Sequence, residues 1–160
     1  MALATEDLVL VKQRAEIALR NANPCIQAQF RAFISYVAGH KPGTNLQLVS
    51  FGDALLVTST GYTPVAAAGT LYAVYFKKNG TGTGTATDSW LTIANDTSNT
   101  TDATKFVALM TSVADQEVTA FYPNGLIFGT DITLTGETSA QDGTESTGGD
   151  SGSGFIIIGS

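Results

Sequence analysis

The stretch Phe155-Ile156-Ile157-Ile158 places four apolar residues in consecutive positions. Side chains of a β-strand point alternately to its two faces, so a strand with this composition needs apolar cover on both of them. The residues before it, 136–154, are almost wholly Gly, Ser, Thr, Asp and Glu. That segment is too polar to bury, and we expect it to form a flexible acidic surface loop before the chain returns to the core.

Short apolar runs separated by turn residues fill the chain from residue 42 onwards. All but one of the 17 glycines lie in this part, which is typical of proteins with many strands and turns. Several runs alternate, as where Ile132 and Leu134 share one face and threonines occupy the other. The pattern predicts nine strands, at residues 46–51, 54–59, 71–77, 89–94, 106–110, 117–122, 126–129, 132–135 and 155–158. We therefore predict a mainly β protein, with an antiparallel, jelly-roll-like β-sandwich over residues 42–160.

The clearest turn signal is Tyr122-Pro123-Asn124-Gly125. Proline presets the backbone of one central turn residue, and asparagine tolerates the conformation of the next. The stretch lies between two apolar runs, so it predicts a tight hairpin that joins the strands at 117–122 and 126–129.

Residues 1–41 differ from the rest, and we predict that they form a helical N-terminal arm for anchoring or oligomerisation. In the first helix the apolar residues recur at spacings of three and four: Leu8, Val11, Ala15, Ala18, Leu19 and Ala22. Asn23 and Pro24 then have the order of a helix cap followed by proline at the first helical position. Residues 26–37 fit both periodicities, and a helix is favoured over a strand there.

Charge is divided unevenly along the chain, whose net charge is −6. Residues 1–41 contain five basic side chains against three acids, whereas residues 42–160 contain three against eleven. An acidic body repels phosphate, so we expect no nucleic-acid partner. No apolar stretch approaches the roughly 20 residues of a membrane-spanning helix, and no secretory signal is recognisable. We expect no membrane partner, and synthesis in the cytoplasm.

One tetrapeptide matches a catalytic motif. Gly149-Asp150-Ser151-Gly152 matches the residues around the nucleophile of trypsin-like serine proteases, and His40 lies upstream of it. That chemistry needs a base on the serine, an acid that orients the base, and backbone donors for the oxyanion. Only eight residues follow Gly152, and the string lies in a low-complexity loop. We predict that the protein is not an enzyme and has no catalytic residues.

Metal and cofactor sites are also not predicted. Cys25 and His40 are the single residues of their types, whereas a structural zinc site needs about four such ligands. We expect Cys25 to be a small buried side chain. The acids Asp142, Glu145 and Asp150 lack the spacing of a helix-loop-helix calcium site, and we interpret them as a solvated loop.

The arm and three stretches of the β-rich part resemble the small virion structural proteins of tailed bacteriophages, and most closely the capsid decoration (cement) proteins and head fibres. The three stretches are Leu71-Tyr72-Ala73-Val74-Tyr75-Phe76, Asp88-Ser89-Trp90-Leu91-Thr92-Ile93 and Tyr122-Pro123-Asn124-Gly125-Leu126-Ile127-Phe128. The resemblance implies a protein on the outer surface of a capsid, often a trimer, that reinforces contacts between major capsid proteins. It implies no catalysis and no cofactor, and a final location in the virion after synthesis in the host cytoplasm.

Within that resemblance, the charge split leads us to expect that the arm contacts the capsid or neighbouring copies. The candidate contact residues are Leu8, Val11, Lys12, Arg14, Leu19, Arg20, Phe30 and Arg31. The acidic body would then face solvent.

A binding module is the alternative function. Loops at 81–87 and 136–154 would recognise glycans or a receptor from a fibre tip, with aromatic residues such as Tyr62 and Trp90 as a stacking platform. The same β-rich scaffold supports either function.

Overall fold

The computed structural model describes residues 8–40, 45–52, 62–78, 89–97, 105–111, 115–137 and 152–159. In this part the chain is mainly β, with two helices and eight strands. The elements are α1 (Leu8–Ala18), α2 (Pro24–His40), β1 (Leu46–Phe51), β2 (Tyr62–Val65), β3 (Gly69–Lys78), β4 (Ser89–Ala94), β5 (Lys105–Thr111), β6 (Glu117–Phe128), β7 (Ile132–Glu137) and β8 (Gly152–Gly159).

The described strands form two four-stranded sheets with antiparallel pairing. The first has the order β1-β8-β3-β6 and the second the order β2-β7-β4-β5. The apolar C-terminal strand β8 lies inside the first sheet, where Ile157 pairs with Leu48 of β1 and Phe155 pairs with Tyr75 of β3. Strands that are remote in sequence are therefore adjacent in the sheet.

Strand β8 has apolar cover on both faces, as its composition predicts. Phe155 and Ile157 belong to a cluster that the first sheet forms with the two helices. Ile156 and Ile158 belong to a second cluster, to which strands of both sheets contribute. Apolar neighbours on both faces of β8 explain why four consecutive residues of one strand are apolar.

Strand β3 contains a bulge at Tyr72. Leu71 pairs with Ile158 and Ala73 with Ile157, so β3 has one residue more than β8 at this point. The bulge changes the alternation of faces: Tyr72 and Ala73 both join the cluster under the helices, while Leu71 joins the cluster that contains residues of both sheets.

The predicted hairpin at residues 122–125 is wrong, because these residues lie within the continuous strand β6. Leu71 of β3 pairs with Leu126, and Ala73 pairs with Phe121, so β6 contains a wide irregularity opposite Tyr72. Pro123 cannot donate a backbone hydrogen bond, and it is tolerated because β6 is the outermost described strand of its sheet. Gly125 adopts a φ of 78° at the irregularity, a conformation that glycine allows.

Most of the other strand predictions agree with the structure. The runs at 46–51 and 89–94 coincide with β1 and β4, and those at 71–77, 106–110, 132–135 and 155–158 lie within β3, β5, β7 and β8. Strand β2 was not predicted, since it has only four residues and includes Pro64. The loop predicted at 136–154 is wrong at its two ends, because residues 136–137 belong to β7 and residues 152–154 belong to β8. The run predicted at 54–59, and residues 138–151 of the predicted loop, lie outside the described residues.

Both helices of the predicted arm are present. The helix over 26–37 is confirmed within α2, and the competing strand is wrong. Asn23 caps α2 as its position predicts: its Oδ1 accepts a hydrogen bond from the backbone N–H of Cys25 at 2.8 Å. Pro24 is the first residue of the helix. The boundary predicted between residues 41 and 42 lies outside the described residues.

Candidate functional site

The two helices are attached to the first sheet by a cluster of aromatic rings around Phe30. The ring of Phe30 lies 4.8 Å from that of Phe121, 5.0 Å from Phe155 and 6.4 Å from Tyr75, measured between centroids. Such tilted and edge-on contacts are favourable arrangements of aromatic pairs. The helical layer therefore shares a core with the sheet.

This packing corrects part of the predicted contact surface. Val11, Leu19 and Phe30 are buried within the chain, and Leu8 is partly buried in the same cluster. The apolar stripe that marks α1 and α2 as amphipathic is covered by the chain's own sheet, so these side chains cannot face a partner. The other four predicted residues are basic: Arg14, Arg20 and Arg31 are exposed, and Lys12 is half-buried.

Three of those basic residues line one cleft between the helices, which we call the cationic cleft. Lys12, Glu16 and Arg20 follow each other at intervals of four along α1 and the turn after it, and Gln27 and Arg31 face them from α2. The floor of the cleft consists of Ala15, Leu19, Phe30 and Ile34, and its volume is about 280 Å³. The cleft thus combines an apolar floor with a rim of net charge +2.

An ion pair spans the cationic cleft. The Nε of Arg31 lies 3.2 Å from Oε1 of Glu16, and the two side chains are 59% and 57% exposed. A pair this exposed contributes at most about 1 kcal/mol to stability. Its main effect is to orient the guanidinium, whose terminal nitrogens have no described acceptor.

Gln27 closes one end of the cationic cleft. Its Nε2 donates to the carbonyl oxygen of Leu19 at 2.7 Å, with longer contacts to the carbonyls of Ala22 at 3.3 Å and Arg20 at 3.4 Å. These carbonyls follow the end of α1, where helical acceptors lack intrahelical partners. The amide of Gln27 therefore holds the turn between the helices in place.

The same turn is tied to the sheet by Glu117 of β6. Its Oε1 accepts a hydrogen bond from the hydroxyl of Tyr75 at 2.7 Å, and its Oε2 accepts one from the backbone N–H of Asn23 at 3.1 Å. Burial, together with the hydrogen bond and negative charge of Glu117, raises the pKa of Tyr75 above its ordinary value. One carboxylate thus connects the helical layer with two strands.

A second groove lies between α1 and the outermost described strand β1. It is lined by Arg14, Ile17 and Ala18 of α1 and by residues 47–50 of β1, and its volume is about 480 Å³. On the same helix, Val9 is 63% exposed and Ile17 is 67% exposed. Helix α1 therefore presents apolar side chains to solvent as well as to the core.

The reactive residues do not form a common site. Cys25 is the second residue of α2 and is exposed, so its predicted burial is wrong. His40 is the last residue of the same helix and stacks on Tyr36 at a centroid distance of 3.9 Å. Fifteen residues of helix place Cys25 and His40 roughly 22 Å apart, which excludes a thiolate–imidazole pair.

The other candidate motifs are only partly described. Ser151 and the acids Asp142, Glu145 and Asp150 lie outside the described residues. Within the described residues, no group of three or more His, Cys, Asp or Glu side chains could hold a metal ion. Neither of the two described helices is long and apolar enough to cross a membrane.

The aromatic residues lie mainly in the core. Tyr72 and Tyr75 are buried under the helices, and Tyr62 and Tyr122 pack against the cluster that contains residues of both sheets. Burial raises the pKa of Tyr122. Trp90 is half-buried on β4. The structure therefore does not bring these side chains together as one exposed platform.

The sequence prediction overlooked Glu16, Gln27 and Glu117. The spacing of Lys12, Glu16 and Arg20 was available as a signal, because residues four apart share a helix face. No local pattern marks Glu117, whose partners lie 42 and 94 residues away in the chain.

No protein-family model, no curated protein and no solved structure matches this chain.

Proposed function

We propose that this protein is a non-enzymatic structural protein of a virion, which decorates and stabilises a phage capsid through contacts between its own copies and with the major capsid protein. The observation that carries this proposal is the set of exposed apolar side chains on α1. Ile17 lines the groove at β1, and Val9 is exposed eight residues earlier on the same helix. Large exposed apolar side chains that cluster on one element are typical of interaction surfaces.

The proposed scaffold is a β-sandwich with jelly-roll-like connections. Its support is the apolar cluster between the two four-stranded sheets, which includes Phe76 and Phe128 from the first sheet and Leu91 and Leu134 from the second. A body of this kind is rigid, and it holds the helical layer at one side through Phe30 and Glu117.

The energetics favour a role based on repeated contacts. Full burial of a Val or Ile side chain contributes about 1.5–3 kcal/mol. Val9 and Ile17, which are about two-thirds exposed, would therefore each contribute roughly 1–2 kcal/mol to an interface. These amounts are small for a single contact, but they accumulate over a symmetric lattice of copies. We favour a trimer located on the capsid surface.

Deletion of residues 1–41 would not test this role cleanly. The helices cover Phe121 and Phe155, so their removal would expose the core of the first sheet as well as remove the contact surface. Point variants at exposed positions are the better test, because they change the surface and leave the core intact.

The test is the mass of the full chain in solution, measured by size-exclusion chromatography with light scattering. We expect the wild type to have a mass of three times the 16.6 kDa chain, and Ile17→Lys to shift the mass toward a single chain. The matched control is Ile127→Lys, which changes a 73% exposed isoleucine on β6 and should leave the trimer intact. A wild-type mass of one chain at every concentration would contradict the proposal.

A further inference from the structure

We propose that the cationic cleft binds carboxylates of a second copy of this chain. This inference rests on the proposed self-association, and it specifies the chemistry of one of its contacts. It concerns the rim of Lys12, Arg20 and Arg31, which is distinct from the exposed apolar residues Val9 and Ile17.

The first argument is the concentration of positive charge. The chain contains eight Lys and Arg residues against 14 Asp and Glu, yet three of the eight line this one cleft together with a single acid, Glu16. Like charges that line one cleft repel each other, and an anion bound between them would offset that repulsion. Lys12 and Arg20 have no acceptor among the described residues, and Glu16 is engaged by Arg31.

The second argument is preorganisation. Glu16 orients the guanidinium of Arg31, and Gln27 fixes the turn that carries Arg20. The floor side chains Leu19 and Phe30 are part of the core and do not move independently. An incoming carboxylate would meet the guanidinium of Arg31, which Glu16 already orients, and the terminal nitrogens of arginine suit the two oxygens of a carboxylate. This orientation lowers the ordering entropy that the contact costs at Arg31.

The third argument identifies the occupant. Residues 42–160 contain eleven acids and three basic residues, so each copy has an excess of carboxylates that could bind the cationic cleft of a neighbouring copy. A cyclic trimer joins two different patches at each interface, one from each partner, and a basic cleft facing an acidic surface satisfies that requirement. Nucleic acid fits less well, because its extended row of phosphates would also meet the acidic body.

The test compares Arg20→Gln with Gln29→Glu by sedimentation velocity and light scattering across a concentration series. Each variant lowers the net charge by one at an exposed position, but Gln29 on α2 lines neither the cationic cleft nor the groove at β1. We expect Arg20→Gln to raise the dissociation constant at least about tenfold and Gln29→Glu to change it by less than about threefold. Raising the ionic strength from about 0.05 M to 0.5 M should also weaken the wild-type assembly.

The outcomes separate the two proposals. A wild type that remains a single chain at low salt contradicts self-association itself, and the carboxylate contact with it. An assembly that survives Arg20→Gln and Arg31→Gln as well as it survives Gln29→Glu, or that does not respond to salt, overturns the role of the cationic cleft and leaves self-association standing. Circular dichroism of each variant confirms that the fold is intact.

Discussion

Replacing Phe30 by alanine tests whether the helices are an integral part of the fold. Phe30 is 1% exposed and contacts the rings of Tyr75, Phe121 and Phe155. Truncation of a buried phenylalanine to alanine costs about 3–5 kcal/mol, through lost transfer energy and the cavity that remains. The three lost aromatic contacts favour the upper half of that range, about 4–5 kcal/mol.

A loss of this size is a large part of the roughly 5–15 kcal/mol that stabilises an ordinary domain. For a chain of this length it corresponds to a fall in Tm of about 8–20 °C. Urea unfolding of Phe30→Ala, followed by the fluorescence of the single Trp90 and by circular dichroism, measures the free energy of unfolding directly.

The control for Phe30→Ala is Ile127→Ala, which shortens an apolar side chain that is 73% exposed on β6. We expect this change to alter the free energy of unfolding by less than about 1 kcal/mol. If Phe30→Ala cost no more than Ile127→Ala, the helices would be a detachable arm, and the aromatic cluster would not be what attaches them to the sheet.

Two further predictions concern the first sheet. Gly154→Ala should prevent stable folding or cost more than about 4 kcal/mol, because the new Cβ would overlap the backbone carbonyl of Tyr75. Its control is Gly39→Ala in α2, where the new Cβ would point into open space, and this change should be neutral or stabilise by up to about 1 kcal/mol. Thermal melts of both variants measure the difference. Equal melting temperatures for the two variants would contradict the close approach of β8 to β3. Tyr75→Phe should reduce the loss of stability at alkaline pH. The pKa of Tyr75 is higher in the folded chain than in the unfolded chain, so above about pH 10 the hydroxyl of the unfolded chain loses its proton first and the wild type becomes less stable. Phenylalanine has no such proton to lose. Unfolding free energies measured between pH 8 and 11 should decline less steeply in the variant, and parallel curves for the two proteins would refute this assignment.

Local patterns were sufficient for most of the secondary structure. The cap at Asn23 and the proline after it depend on neighbours within four residues, and both are present as predicted. The run at 155–158 predicted a strand covered on both faces, because four consecutive apolar side chains leave neither face to water. In both cases the determining interactions are visible in a short window of sequence.

Two of the incorrect predictions share one cause, which is that contacts with a distant segment override a local pattern. Residues 122–125 have the composition of a turn, but the partner strand β3 holds them within β6, and the sheet edge tolerates Pro123. Val11, Leu19 and Phe30 form a face that would suit a partner protein, yet the strands that cover it belong to the same chain.

The amino-acid sequence by itself determined the class of the fold, the positions of the helices and most strands, and the separation of charge between the N-terminal part and the rest. These depend on composition and on periodicity over a few residues. Only the tertiary structure decided that the helices cover the first sheet, that Glu117 joins them to it, and that Lys12, Arg20 and Arg31 share one cleft. Such placements arise from contacts between residues far apart in the chain, and their energy appears only when the whole core assembles.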